Sequence, residues 1–204
     1  MKYLYKTPQL LKWYYPSLIW DFTTAEKCVY LTFDDGPTKE YTLWILEELE
    51  KYNAKATFFC IGNNVENYPK EFEEIIQQGH SVGNHTYNHM NGWNNSLLSY
   101  MRDVRKCETV FNSTLFRPPH GRMSNKQRAV LSKEFKVIMW DVLSGDFDTS
   151  ISGEECAEAV IDHTTNGSII VFHDSKKAAE RLKNALPIVL ETLTAQGYIF
   201  KAIE

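Results

Sequence analysis

The chain has 204 residues, with 22 basic and 26 acidic side chains, a formal net charge of −4, and 43% hydrophobic and 24% charged residues. That is room for one domain with a substantial core, tight for two, and ordinary for a soluble globular protein. There is no basic excess or stripe of the kind a nucleic-acid binder carries, and no apolar run approaches the ~18 residues that span a membrane.

Residues 1–27 read as an N-terminal arm that packs on the domain formed by 28–204. The arm is aromatic, carries Lys2, Lys6 and Lys12, and is interrupted by Pro8 and Pro16. It lacks the continuous apolar segment and small-residue cleavage site of a signal peptide, so a cytoplasmic location is the default expectation.

From there, short apolar runs alternate with amphipathic ones. Strands are predicted over 29–33, 56–61, 80–84, 115–117, 136–142, 168–172 and 198–203. Helices are predicted over 41–52, 66–78, 95–111, 124–134, 152–165 and 178–196. The first helix carries Leu43, Ile45, Leu46 and Leu49 on one face, and Gly79 and Gly197 stand where helices end. Strand–helix alternation argues for a parallel sheet with covering helices, either a barrel or an open doubly wound sheet. Gly36 is the only glycine after the first strand, so a phosphate-binding glycine loop has no support there. Cys28, Cys60, Cys107 and Cys156 are widely spaced without a CxxC pair and are expected to be free, mostly buried thiols.

The reactive side chains recur at one place in each unit. Asp34 and Asp35 follow the first strand, His85 and His89 the third, Arg117 the fourth, Asp146 the fifth and His173 the sixth. In a βα barrel these strand ends converge on the face where active sites are built. His85 and His89, at i and i+4, would share one face of a helical turn, close enough for one metal ion. Two adjacent carboxylates at the end of an apolar strand are costly unless paired or ligating. Two histidines and one aspartate form the ligand set of a catalytic zinc site, which leaves the second aspartate free to act as a base. Arg117 is held in one direction by Pro118 and Pro119. His80 and His163 read as structural.

Five short segments, in order, carry a family resemblance: Thr32-Phe33-Asp34-Asp35-Gly36-Pro37, His85-Thr86-Tyr87-Asn88-His89, Arg117-Pro118-Pro119-His120-Gly121, Trp140 to Phe147 with Asp146, and Val171-Phe172-His173-Asp174. The chain resembles the polysaccharide deacetylases of the NodB homology domain, carbohydrate esterase family 4, from Val29 to about Asp174, with the N-terminal arm outside the resemblance. The resemblance implies a distorted (β/α)7 barrel with parallel strands, similar to a TIM barrel. It implies that Asp35, His85 and His89 hold one divalent ion, zinc in the first instance with cobalt or nickel as substitutes. Asp34 would be the general base, paired with Arg117, and His173 the general acid, paired with Asp146. His120, Phe147 and Val171 would contact substrate, with a backbone N–H near His120 facing the oxyanion.

Three residues depart from the family pattern: His120 stands for the usual Tyr, Phe147 for the usual Trp, and Leu143 where an additional Asp is common. They bear on substrate preference more than on reaction class. Trp93, Tyr87 and Trp140 are candidates for stacking on sugar rings. The implied function is removal of N-acetyl groups from amino sugars of a glycan, peptidoglycan or a chitin-like polymer. The alternatives are a related hydrolase of a non-polysaccharide amide (a cyclic imide, a ureide or a formylated lipid-linked sugar) and a carbohydrate-binding domain without activity.

Overall fold

A computed structural model describes residues 3–204; Met1 and Lys2 of the predicted arm lie outside the described residues. The strands are β1 Cys28–Asp34, β2 Ala56–Cys60, β3 Ser81–Asn84, β4 Leu115–Phe116, β5 Lys136–Val137, β6 Val142–Leu143, β7 Ile169–His173 and β8 Ile199–Phe200. They pair in parallel in the order β5-β4-β3-β2-β1-β7-β6, with β8 against the start of β1. The helices are α1 Gln9–Tyr14, α2 Thr42–Glu50, α3 Gly62–Asn67, α4 Pro69–Gln77, α5 Leu97–Glu108, α6 Asn125–Leu131, α7 Gly153–His163 and α8 Ala179–Ala195. This is the distorted (β/α)7 barrel. Among the described residues no helix is long and apolar enough to cross a membrane.

β1 and β2 are near-continuous apolar runs because parallel strands inside a barrel are covered on both faces; all five residues of β2 are buried. Phe33 stacks between Phe58 and Phe172, with ring centroids 5.1 and 6.1 Å away, and so ties β1 to β2 and β7. Ile45, Leu46 and Leu49 of α2 close over this layer as the periodicity predicts, whereas Leu43 is exposed.

Two predicted elements are divided. The helix predicted over 66–78 is α3 and α4, broken at Tyr68, whose φ of −131° leaves the helical region before Pro69 opens α4. The strand predicted over 136–142 is β5 and β6, one segment that changes partners: its start pairs with β4 and its end with β7, which closes the ring. In between, the Ile138 and Met139 carbonyls accept from the Arg117 side chain, and Met139 N donates to the arm at Ile19 O.

The arm lines this closing segment on its outer side. Ile19 N donates to Val137 O at 2.9 Å, Thr7 N to Asp141 O at 2.8 Å, and Leu143 N to Tyr5 O at 2.8 Å. Beneath it the buried Asp141 carboxylate accepts from Lys6 Nζ and Lys12 Nζ, both at 2.6 Å, and from Ser168 Oγ at 2.5 Å. The arm thus covers backbone edges that a ring with a broken strand would otherwise leave open. The four cysteines are buried and free.

Candidate active site

The C-terminal ends of the strands surround a cavity of about 680 Å³. Its floor carries Asp34, Asp35, His85, His89 and His173. Its walls carry His120, Gly121, Arg122, Trp140, Leu143, Phe147, Val171, Ser175 and Lys177, and Tyr3 reaches it from the arm. Of the sequence-predicted residues, Arg117 and Asp146 lie just behind this lining, each bonded to a residue of the floor.

Asp34 ends β1 in register with His173 at the end of β7. Arg117 Nη1 donates to Asp34 Oδ1 at 2.7 Å and to Thr32 Oγ1 at 2.7 Å. Its Nε and Nη2 donate to the carbonyls of Ile138 and Met139 at 3.2 and 2.8 Å, and its guanidinium lies 4.1 Å from the Phe59 ring centroid. Arg117 has no exposed surface. Burial alone pulls its pKa down and the Asp34 charge opposes that, so the ion pair compensates a costly desolvation.

Asp35 Oδ1 lies 3.1 Å from His89 Nε2 and 3.7 Å from His85 Nε2, and the three donor atoms all fall within 4.8 Å of one another. His85 Nδ1 is 2.8 Å from Arg117 O. A carbonyl can only accept, so Nδ1 carries the hydrogen and the Nε2 lone pair faces Asp35; histidines that bind metals are oriented in this way. Burial first, and the neighbouring His89 charge second, bring the His85 pKa down to about 4 against the pull of Asp34 and Asp35, which keeps the imidazole neutral. Burial disfavours an ionised Asp35, yet the His89 hydrogen bond and the charges of His173 and the two histidines hold it well below the usual carboxylate range. Two neutral-capable imidazoles and a carboxylate converging from three directions fit a divalent cation of the borderline class.

The i, i+4 pair is not on a helical turn. Residues 85–89 form a loop in which Thr86 and His89 have φ of 62° and 54°. Asp35 at 77° and His120 at 59° are also left-handed, so four of the five non-glycine residues with positive φ among those described belong to the site. Such backbone costs of order 1–3 kcal/mol per residue and persists only when its surroundings fix it. The fixing residues are ones that sequence reasoning passed over. Asp103 on α5 accepts from Tyr87 N at 3.0 Å, Asn88 N at 2.9 Å and Asn88 Nδ2 at 2.5 Å. Asn84 Oδ1 accepts from Thr86 N at 2.8 Å, and Asn64 Nδ2 donates to Asp35 O at 2.8 Å. Asp103 did leave a signal: it lies on the apolar stripe of its helix with the buried Tyr100, Val104 and Cys107.

Asp146 is fully buried and grips His173 twice, accepting from its backbone N and facing its Nδ1, each at 2.7 Å. Nε2 is left as the free ring nitrogen. Burial lowers the His173 pKa, but the Asp146 charge and hydrogen bond, with Asp35 and Asp34 behind them, prevail and raise it to about 9. Arg181 on α8 holds the loop of Asp146 by donating to its carbonyl at 2.6 Å. Next to His173, the Asp174 carboxylate accepts from Thr38 Oγ1 at 2.6 Å and from Thr42 Oγ1, and Asp174 N donates to Asp34 O at 2.7 Å. Burial is the main reason its pKa rises to about 6. A Cβ at Gly36 would collide with this carboxylate, which is why the turn after Asp35 needs glycine.

The wall residues divide unevenly. Phe147 lies edge-on to His173, centroids 5.4 Å apart, and packs on Tyr3 at 5.1 Å. Leu143, Val171 and Trp140 continue this apolar side. His120 sits 4.5 Å from His89, and burial first and the His89 charge second lower its pKa. Trp140 lines the cavity, but Tyr87 is buried with its hydroxyl 2.6 Å from Glu66, and Trp93 is exposed beneath Arg122, so neither of these two faces it. His80 accepts from Ala56 N and His163 bonds Ala159 O, both away from the site.

The sequence profile of the family described as Polysaccharide deacetylase matches residues 21–135. A Bacillus cereus protein named peptidoglycan-N-acetylglucosamine deacetylase is 30% identical over 191 residues, 90% of each chain. A second Bacillus cereus protein of that name is 34% identical over 154 residues, which are 72% of this chain and 56% of that one. The solved structure of the Bc1960 peptidoglycan N-acetylglucosamine deacetylase superposes with a TM-score of 0.88 at 29% identity, covering 97% of this chain and 95% of that one. The chain belongs to the polysaccharide deacetylase family.

Proposed function

We propose that this protein is a metal-dependent hydrolase that removes acetyl groups from the nitrogen of amino sugars in peptidoglycan or a chitin-like N-acetylglucosamine polymer. The observation that carries this reading is the convergence of a three-donor cluster, an arginine-bound carboxylate and a carboxylate-bound imidazole on one cavity. Asp35, His85 and His89 would hold the ion, zinc in the first instance with cobalt or nickel as substitutes. A divalent ion there supplies Lewis acidity, polarising the acetamido carbonyl and making water a stronger acid.

Asp34 takes a proton from the attacking water while the new carbon–oxygen bond forms. Arg117 holds Asp34 in place and balances its charge before that transfer. The N–H groups of Gly121 and Arg122 donate to Pro118 O and Pro119 O, which leaves the backbone N–H of His120 itself to face the oxyanion. His173 delivers its proton from Nε2 to the leaving nitrogen as the carbon–nitrogen bond breaks, because an amine leaves poorly without one. The products are acetate and a free amino sugar. Leu143, Phe147 and Val171 offer an apolar seat for the acetyl methyl group.

The test is released acetate, measured with N-acetylated oligosaccharides and small cyclic amides side by side, before and after chelation and with zinc restored. Activity on the sugars that disappears with chelator and returns with zinc is expected. Turnover of the small amides alone would overturn the glycan reading. Asp34→Asn should keep the ion, by elemental analysis, and lose about 10²–10⁴-fold in turnover. Asp35→Asn should weaken both ion binding and turnover. The opposite pattern would exchange the roles of the two aspartates.

A further inference from the structure

Two cations stand at the mouth of the cavity without an assigned task. Arg122 follows the Arg117-Pro118-Pro119-His120-Gly121 loop after β4, and Lys177 follows His173 after β7. The ring order β4-β5/β6-β7 puts them on either side of the segment that carries Trp140 and Leu143. Both line the cavity and both are exposed. Among the described residues neither forms an ion pair: Arg122 lies over Trp93 at 4.8 Å and Lys177 is 5.8 Å from the Phe147 ring centroid. Asp148, a carboxylate that feels the Lys177 charge, is bonded to Ser150 and Tyr3 and does not line the cavity.

Among the described residues, no acidic side chain lines the cavity except Asp34 and Asp35 on its floor. Asp34 is matched by Arg117, and Asp35 faces the two histidines. On a chain of net charge −4, Arg122 and Lys177 are thus cations that line this mouth without an ion pair. Unpaired charges around an opening with low-dielectric walls focus the field, attracting ligand groups of opposite sign and rejecting like ones.

Resting on the deacetylase reading above, we propose that Arg122 and Lys177 read negative charge on the glycan beside the scissile acetamide. The preferred polymer carries carboxylates next to its N-acetylated sugar, and these two residues determine that preference. A neutral acetamido glycan enters the same site without their help.

The experiment compares one glycan backbone in two charge states. Peptide-free strands containing muramic acid are used with their lactyl carboxylates free or converted to amides, and acetate release gives kcat/KM. At low salt the free-carboxylate strand should be favoured by about tenfold, the sum of two modest exposed pairings, and the preference should shrink as ionic strength rises. The double variant Arg122→Gln/Lys177→Gln should bring the ratio down to about two or less. Equal rates on the two strands, or a preference that survives in the double variant, would overturn the proposal. No acetate from either strand, with zinc supplied, would remove the deacetylase reading itself and this proposal with it.

Discussion

The Arg117–Asp34 and Asp146–His173 pairs have the same 2.7 Å separation and reach the cavity from neighbouring strands, and they differ in what the cationic partner can do. Arg117 is buried completely and spends its donors on β1 and on both carbonyls of the closing segment, so its charge cannot change and its position is shared with the barrel itself. His173 keeps 18% of its side chain accessible and has one ring nitrogen engaged, so it can gain or lose a proton at the other. Similar distances therefore serve a fixed strut in one case and a proton carrier in the other. The carboxylates are reversed in role as well: Asp34 is the member at the cavity, while Asp146 is the member behind it.

The largest effect is expected where the strut is removed. Arg117→Met should destabilise the protein by about 3–5 kcal/mol, because Asp34 would be left buried without its counter-charge. Four hydrogen bonds, two to β1 and two to the carbonyls between β5 and β6, are lost in the same step. Denaturant unfolding measures the loss; a change below about 1 kcal/mol would show that water or rearrangement replaces the guanidinium.

The Asp146 pair should respond through pH instead. Asp146→Asn keeps a polar group of the same shape but removes the charge, so the burial that lowers the His173 pKa meets less opposition. The basic limb of the pH–rate profile should move down by about 1–3 units, with reduced maximal turnover. An acetate ester with a good leaving group should suffer less than the N-acetyl sugar, since it needs no proton to depart. Stability carries the same sign. A pKa of about 9 in the folded protein against the ordinary 6.5 means that protonation of His173 stabilises the fold fully below about pH 6.5 and ceases to do so as pH rises through 9. An unmoved limb in Asp146→Asn would assign the basic limb to another group.

A third buried carboxylate calibrates the other two. Asp141 is bonded by Lys6, Lys12 and Ser168 together, so Lys12→Met leaves it two donors. The cost should stay near 1 kcal/mol, well under that of Arg117→Met. A loss as large as that of Arg117→Met would mean that the arm, through its cover of β5 and β6, decides whether the ring closes.

Much of this site was legible along the chain because a parallel βα barrel sends every strand end to one face. Asp34, Asp35, His85, His89, Arg117, Asp146 and His173 could each be placed there from the alternation of elements alone, whereas the Arg117–Asp34 and Asp146–His173 pairings came from the family resemblance. Helix ends were equally local: Ser152 and Ser124 cap α7 and α6 with reciprocal bonds from Glu155 and Gln127, a pattern written within four residues. Tertiary structure alone decided what depends on partners distant in sequence. The His85–His89 spacing suits a helical turn, yet Asp103, Asn84 and Thr86 bend it into a loop with left-handed residues, because side-chain bonds to buried backbone outweigh local preference. Segment 136–143 has the apolar pattern of one strand and becomes two, since Arg117 and the arm take the bonds of its middle. Tyr3 lines the cavity only because Tyr5 is pinned to β6 more than 130 positions away, a register that no window of sequence contains.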